Sequence, residues 1–257
     1  MSLGRKIVFV ICLIVFVTSA GVIADYFISG WREQSALEDL SLMQLEREDM
    51  KTDKGTVIGK YVDLYLANED IIGWIKVKDT KINYPVMQTQ DDPEFYLHRN
   101  FRKEDAASGV PFLDAGSDIF VPTSNFLIYG HNMKNGTMFH DLLEYRNQDF
   151  YQEHKTFQFD TIYKGGQGTY EVVAAGYSKI YPKDSDKFKY YQYAGMTSEE
   201  EFNKYVQNVK ALSGYDTGVT PEYGDQLVTL STCAYHVENG RFFVVGRRTD
   251  AKQVKPQ

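Results

Sequence analysis

The sequence predicts a mainly β fold: a closed or nearly closed barrel of seven or eight strands with helices appended. Three observations predict it. Aromatic residues are abundant, nineteen Tyr and sixteen Phe in 257 residues, and their rings suit the pleated, half-buried surface of a sheet. From Ile72 onward the chain breaks into short apolar segments separated by polar or glycine-bearing turns. That many strands in one compact region favour closure, because a barrel has no exposed edge.

The chain opens on a different pattern. Ile7 to Ala24 (IVFVICLIVFVTSAGVIA) carries no charge, with Arg5 and Lys6 before it and Asp25 after it. A membrane-spanning helix needs about 20 apolar residues, and Tyr26, Phe27, Ile28 and Trp31 extend the run with interfacial aromatics. Residues 7–28 are therefore expected to be a single-pass anchor in the cell membrane. The basic flank places residues 1–6 in the cytoplasm and the rest of the chain outside the cell. A cleaved signal peptide is the competing reading, since Thr18-Ser19-Ala20 resembles a small-residue cleavage site. Against it, the apolar run continues past that point, and a signal core is only about 7–15 residues long.

Residues 29–56 read as a stalk or linker. Trp31 to about Met50 is charged and helix-friendly, with a stripe of Leu37, Leu40 and Leu45, and Lys51–Gly55 breaks it. Val57–Asn68 is expected to be a second helix that packs Val57, Tyr61, Leu64 and Tyr65 against the main body. Residues 57–250 form the compact domain, and 251–257 a polar tail. Strands are expected at Trp74–Lys78, Ile82–Met87, Gly109–Leu113, Asn125–Tyr129, Thr156–Tyr163, Thr169–Tyr181, Asp225–Thr232 and Arg241–Arg248. Lys164-Gly-Gly-Gln-Gly168 is a hairpin-type connection. Helices interrupt the series at about Gly136–Tyr145 and at Thr197–Leu212, the latter opening on Thr197 or Ser198 as N-cap with acidic residues behind it.

The net charge is −7, and beyond residue 30 the chain carries 26 basic and 34 acidic residues. An acidic chain is a poor candidate for nucleic acid, whose partners carry a basic face. The two cysteines are Cys12 and Cys233. If Cys12 lies in a bilayer it cannot pair with Cys233, which leaves one free thiol outside the cell.

Three segments hold reactive residue types at strand ends. His131 follows a strand in Ile128-Tyr-Gly-His-Asn-Met133, and Gly130 relieves crowding beside it. Cys233 ends a strand in Thr229-Leu-Ser-Thr-Cys233, and Arg241 opens the next. A Cys ending one strand and an Arg starting its hairpin partner come close in space. These types suit acyl transfer. A thiolate is the nucleophile, an imidazole hands a proton to the leaving amine, and a guanidinium holds the oxyanion with fixed, permanently charged donors. No metal is required, and His98, His140, His154 and His236 match no metal-ligand spacing. His236, three residues after Cys233, is read either as a substrate contact or as an exposed loop residue. Taken singly, a strand Arg, a lone Cys and a lone His are each ordinary surface or core residues.

Together, TLSTC with an Arg eight residues later and YGHNM upstream resemble the sortases, cysteine transpeptidases of Gram-positive cell surfaces. The string IYGHNMKNGTMF, the long helix between late strands and the N-terminal helical pair resemble class B sortases in particular, over roughly residues 57–249. The resemblance implies an eight-stranded closed barrel with N-terminal helices and a long helix inserted between late strands. It implies that Cys233 cleaves a five-residue C-terminal sorting signal of surface proteins at a Thr–Gly or Thr–Asn bond through a thioacyl enzyme. A peptidoglycan cross-bridge or lipid II amine then takes over the acyl group. It assigns His131, Cys233 and Arg241 to catalysis and Ser231 to the substrate groove, with no cofactor and no metal. A wall hydrolase that cuts without transfer, and a non-enzymatic β-rich surface module, remain as alternatives. Whether Cys233 and His131 rest as a neutral pair or as an ion pair is also open.

Overall fold

The structure is a computed structural model that describes residues 3–120 and 123–250. The predicted polar tail, 251–257, lies outside the described residues. Helix α1, Leu3–Leu42, is followed by a small hairpin of β1 (Met50–Thr52) and β2 (Gly55–Val57) and then by α2 (Val62–Ala67). The barrel strands are β3 (Ile71–Lys76), β4 (Asn83–Met87), β5 (Phe112–Leu113), β6 (Asn125–Tyr129), β7 (Thr156–Thr161), β8 (Gln167–Lys179), β9 (Leu227–Cys233) and β10 (Gly240–Arg248). Helix α3 (Gln148–Glu153) precedes β7, and α4 (Glu199–Ala211) lies between β8 and β9.

The eight strands close in the order β10-β8-β7-β3-β4-β5-β6-β9. The pairs β4–β5 and β6–β9 are parallel and the rest antiparallel. This is the closed eight-stranded barrel that the resemblance implies, with the long helix inserted where expected.

Along β9 and β10 the side chains alternate between two cores. Val228, Leu230, Phe242 and Val244 fill the barrel interior. Leu227, Phe243 and Val245 face outward under α4, which buries Phe202, Tyr205, Val206 and Val209 against them. Ser198 caps α4: its hydroxyl accepts from the Glu201 N–H at 3.2 Å, and the Glu201 carboxylate accepts from the Thr197 N–H at 3.0 Å. That hydrogen bonding holds the Glu201 carboxyl below its ordinary pKa.

The N-terminal part departs from expectation. The apolar run and the stalk form one helix, α1, because the sequence offers no proline between them and Leu37 and Leu40 bury against the barrel. An 18-residue window of α1 reaches a mean hydropathy of 2.9 with nothing buried, so α1 is long and apolar enough to cross a membrane. The helix stops at Leu42 rather than near Met50, and Lys51–Gly55 belongs to the β1–β2 hairpin, with Asp53 and Lys54 at its turn, rather than being a simple helix breaker. Hairpin pairing also claims Val57, so the second helix shrinks to α2 with a 3-10 turn, Gly59–Tyr61, ahead of it. Its four predicted packing residues, Val57, Tyr61, Leu64 and Tyr65, are all buried. The helix expected at Gly136–Tyr145 starts later, as a 3-10 helix over His140–Arg146. Left-handed backbone at Gly136 and Met138 instead folds 132–138 into a tight loop bridged from Asn132 to Met138.

Candidate active site

The strand pairing assembles the site. In the β9–β10 register Cys233 lies directly opposite Arg241, as their hairpin spacing predicts. Strand β6 runs parallel to β9 with Tyr129 opposite Ser231, and the Gly130 N–H donates to the Ser231 carbonyl at 3.1 Å. Two residues further along, His131 arrives beside Cys233. Neighbouring strands are about 4.8 Å apart, so the imidazole, thiol and guanidinium stand in one row at the end of the sheet. They share a cleft of about 310 Å³ on the outer face of the barrel wall. Leu97, Phe112, Tyr129, Ile180 and Tyr191 give the cleft apolar walls, and Glu94 and Asp114 supply carboxylates.

Gly130 is required for this approach. A Cβ on it would meet the Phe139 ring at 2.7 Å, closer than side chains pack. Phe139 is fully buried and its N–H donates to the His131 carbonyl at 2.8 Å, which fixes the backbone of the histidine.

The imidazole is held by its own partner. His131 Nε2 lies 2.9 Å from the Leu97 carbonyl oxygen. A carbonyl can only accept, so Nε2 carries the proton and, in the neutral ring, Nδ1 is the basic atom. Burial pushes the His131 pKa below the usual imidazole value; the Leu97 carbonyl opposes the shift, while His98 and Arg241 add to it. The His98 ring lies over His131 with centroids 5.5 Å apart.

Cys233 is partly exposed and unpaired. Its carbonyl accepts from Asn132 Nδ2 at 3.0 Å, and Asn132 Oδ1 accepts from His140 Nδ1 at 2.8 Å. The residue after the histidine thus clips the strand that carries the thiol. Arg241 Nη1 donates to the Gly240 carbonyl at 3.0 Å. Ser231 lines the floor of the cleft but is buried, with its Oγ 2.7 Å from the Tyr190 hydroxyl. Burial raises the Tyr190 phenol far above the ordinary tyrosine pKa. His236 is exposed in the β9–β10 loop, where it lies over the Tyr177 ring with centroids 4.5 Å apart rather than in the cleft.

All four sequence-predicted site residues, His131, Cys233, Arg241 and Ser231, line one cleft. Sequence reasoning missed three partners. Asn132 stood next to His131 and could have been found. The Leu97 carbonyl has no side-chain signal, and Tyr190 is one tyrosine in an aromatic run. Among the described residues no group of three His, Cys, Asp or Glu is placed to hold a metal ion.

The chain is similar to known proteins over most of its length. The Sortase domain family matches residues 75–249. Sortase B of Listeria monocytogenes is 33% identical over 238 residues, which is 88% of this chain and 93% of that protein. Among solved structures, sortase B from B. anthracis in complex with AAEK1 is similar with a TM-score of 0.73 at 27% identity, covering 88% of this chain and 100% of that one. The Staphylococcus aureus sortase B–substrate complex is similar with a TM-score of 0.72 at 26% identity, with the same coverage.

Proposed function

The chain belongs to the sortase family as a sortase B-type cysteine transpeptidase of surface proteins, and on that premise we propose that Cys233, His131 and Arg241 carry the reaction. The single observation behind this reading is the row these three side chains make at the mouth of one cleft.

The Cys233 thiol gives its proton to His131 Nδ1, the resulting thiolate attacks the carbonyl carbon of the sorting-signal threonine, and the carbonyl π electrons move to oxygen. Arg241 stabilises that oxyanion, where fixed donors act most strongly. The oxyanion collapses, the C–N bond breaks and the leaving amine takes a proton from His131. The product is a thioester. An amine acceptor, from a peptidoglycan cross-bridge or lipid II, gives a proton to His131 Nδ1 as it attacks. The C–S bond breaks and the thiolate returns. Ser231 and the apolar walls around Leu97 and Tyr129 hold the peptide.

Residues 7–28 of α1 are proposed to anchor the enzyme in the cell membrane, with residues 1–6 in the cytoplasm and the barrel outside. Resistance to alkaline extraction from membranes checks the anchor, and protease access to the barrel on intact cells checks the orientation. A soluble, cleaved species would overturn both.

The test of the chemistry uses the full chain in detergent with a panel of fluorogenic sorting pentapeptides, with and without a glycine-type amine, and reads products by mass. The expected result is a thioacyl adduct on Cys233 and an amine-dependent transfer product. Hydrolysis that no amine diverts would make the protein a wall hydrolase instead.

A further inference from the structure

One buried side-chain polar atom among the described residues has no hydrogen-bond partner: the Ser178 hydroxyl. Buried hydroxyls are almost always satisfied, and an orphan calls for a reason. The location of this one supplies it. Ser178 lies on β8 directly opposite Arg241 of β10, in the same antiparallel ladder that places Arg241 opposite Cys233. Cross-strand partners point to the same face of a sheet, so Ser178 shares the face of Arg241 and Cys233. Ile180, two residues on and on that face too, lines the cleft. His131, Cys233, Arg241 and Ser178 therefore form one row across β6, β9, β10 and β8. Ser178 is 7% exposed and lies beside Arg241 in the ladder, outside the lining of the open cleft.

Arg241 spends one donor on the carbonyl of Gly240, its own chain neighbour. A guanidinium has five N–H donors in a rigid fork and can hold a second acceptor while facing the substrate. We propose that Ser178 is a positioning residue for Arg241: its hydroxyl accepts a guanidinium hydrogen bond when Arg241 turns to the carbonyl oxygen of the bound peptide, and so fixes the fork for the oxyanion. This rests on the reading of Arg241 as the oxyanion-binding residue.

The serine has no structural work that an alanine would not do. Replacing an unpaired buried hydroxyl by a methyl removes a desolvation cost, so Ser178→Ala leaves the melting temperature unchanged or raises it. A stable variant with impaired chemistry is what separates positioning from packing. The experiment measures kcat, KM and melting temperature for the full chain in detergent, using a cleaved sorting pentapeptide, in Ser178→Ala, Ser178→Thr, Arg241→Ala and the Ser178→Ala/Arg241→Ala double variant. The expected result is a kcat about tenfold lower in Ser178→Ala, the worth of one hydrogen bond to a charged group, with KM nearly unchanged. Ser178→Thr keeps the hydroxyl and recovers most of the rate. In the Arg241→Ala background Ser178→Ala has no further effect, because its only partner is gone.

Wild-type kcat in Ser178→Ala, beside a strongly impaired Arg241→Ala, would overturn the proposal and leave the reading of Arg241 standing. An Arg241→Ala enzyme as fast as wild type would overturn both. Equal rate losses from Ser178→Ala with and without Arg241 would also overturn it, since the serine would then act without the arginine.

Discussion

On strands β9 and β10 the residues facing into the barrel and those facing out are buried to nearly the same degree, but they differ in kind. Val228, Leu230, Phe242 and Val244 point inward and carry no polar atom beyond the backbone. Thr229, Ser231, Cys233, Arg241 and Phe243 share the outward face. There the Thr229 hydroxyl meets the Tyr205 hydroxyl at 2.5 Å and Asn125 Oδ1 at 2.9 Å, and Ser231 meets Tyr190. The inner face is stabilised by apolar packing, and the outer face by apolar packing under α4 together with paired hydroxyls. Cys233 and Arg241, at the end of the outer face, are partly exposed and line the cleft. Burial alone does not separate a core from a site; the chemistry of the partners does.

The largest expected effect falls on the outer face. Cys233→Ala or His131→Ala should lower kcat by at least about 10³-fold, since members of a catalytic unit act together, while the melting temperature stays near wild type. Peptide cleavage with thioester trapping checks this, and retained turnover in either variant would break the assignment of roles.

The inner face should respond in the opposite sense. Phe242 is fully buried in the barrel core, and Phe242→Ala is expected to cost about 3–5 kcal/mol of stability. Denaturant unfolding measures the loss, and the rate per folded molecule should change far less than in Cys233→Ala.

A smaller effect tests the paired hydroxyls. Tyr190→Phe strands the buried Ser231 Oγ and should cost about 1–3 kcal/mol, while adding Ser231→Ala should restore much of it. If the double variant is no better than the single one, the pair is not the unit it is taken to be. Ser198→Ala removes the cap of α4, the helix that covers the outer face, and should cost about 1 kcal/mol by thermal unfolding.

The smallest effect is set by pH. His131 has its folded pKa depressed by burial, so the folded chain binds fewer protons there than the unfolded one. Its stabilising contribution is complete above the unfolded histidine value of about 6.5 and is lost as pH falls toward the lower folded pKa. His131→Gln should flatten the decline in melting temperature below that pH. An unchanged slope would assign the decline to other groups.

Much of this was legible in the chain. Asn125–Tyr129 is a strand with the predicted ends, and the Cys233–Arg241 proximity followed from hairpin spacing, because both depend on residues close in sequence. The β1–β2 hairpin was missed, since two three-residue strands carry almost no periodicity. The stalk was read as separate from the apolar run because composition changes there, yet helix hydrogen bonding continues across a change of composition. The local sequence by itself determined most of the strands, the long apolar helix, the cap of α4 and the placing of Cys233 and Arg241 at facing strand ends, because propensity, period and capping are short-range. Only the tertiary structure decided that His131 meets Cys233, through the parallel β6–β9 pairing of segments a hundred residues apart. It alone decided that the Leu97 carbonyl sets the imidazole tautomer and that Ser178 lies opposite Arg241, because register across a closed barrel is a property of all its strands together.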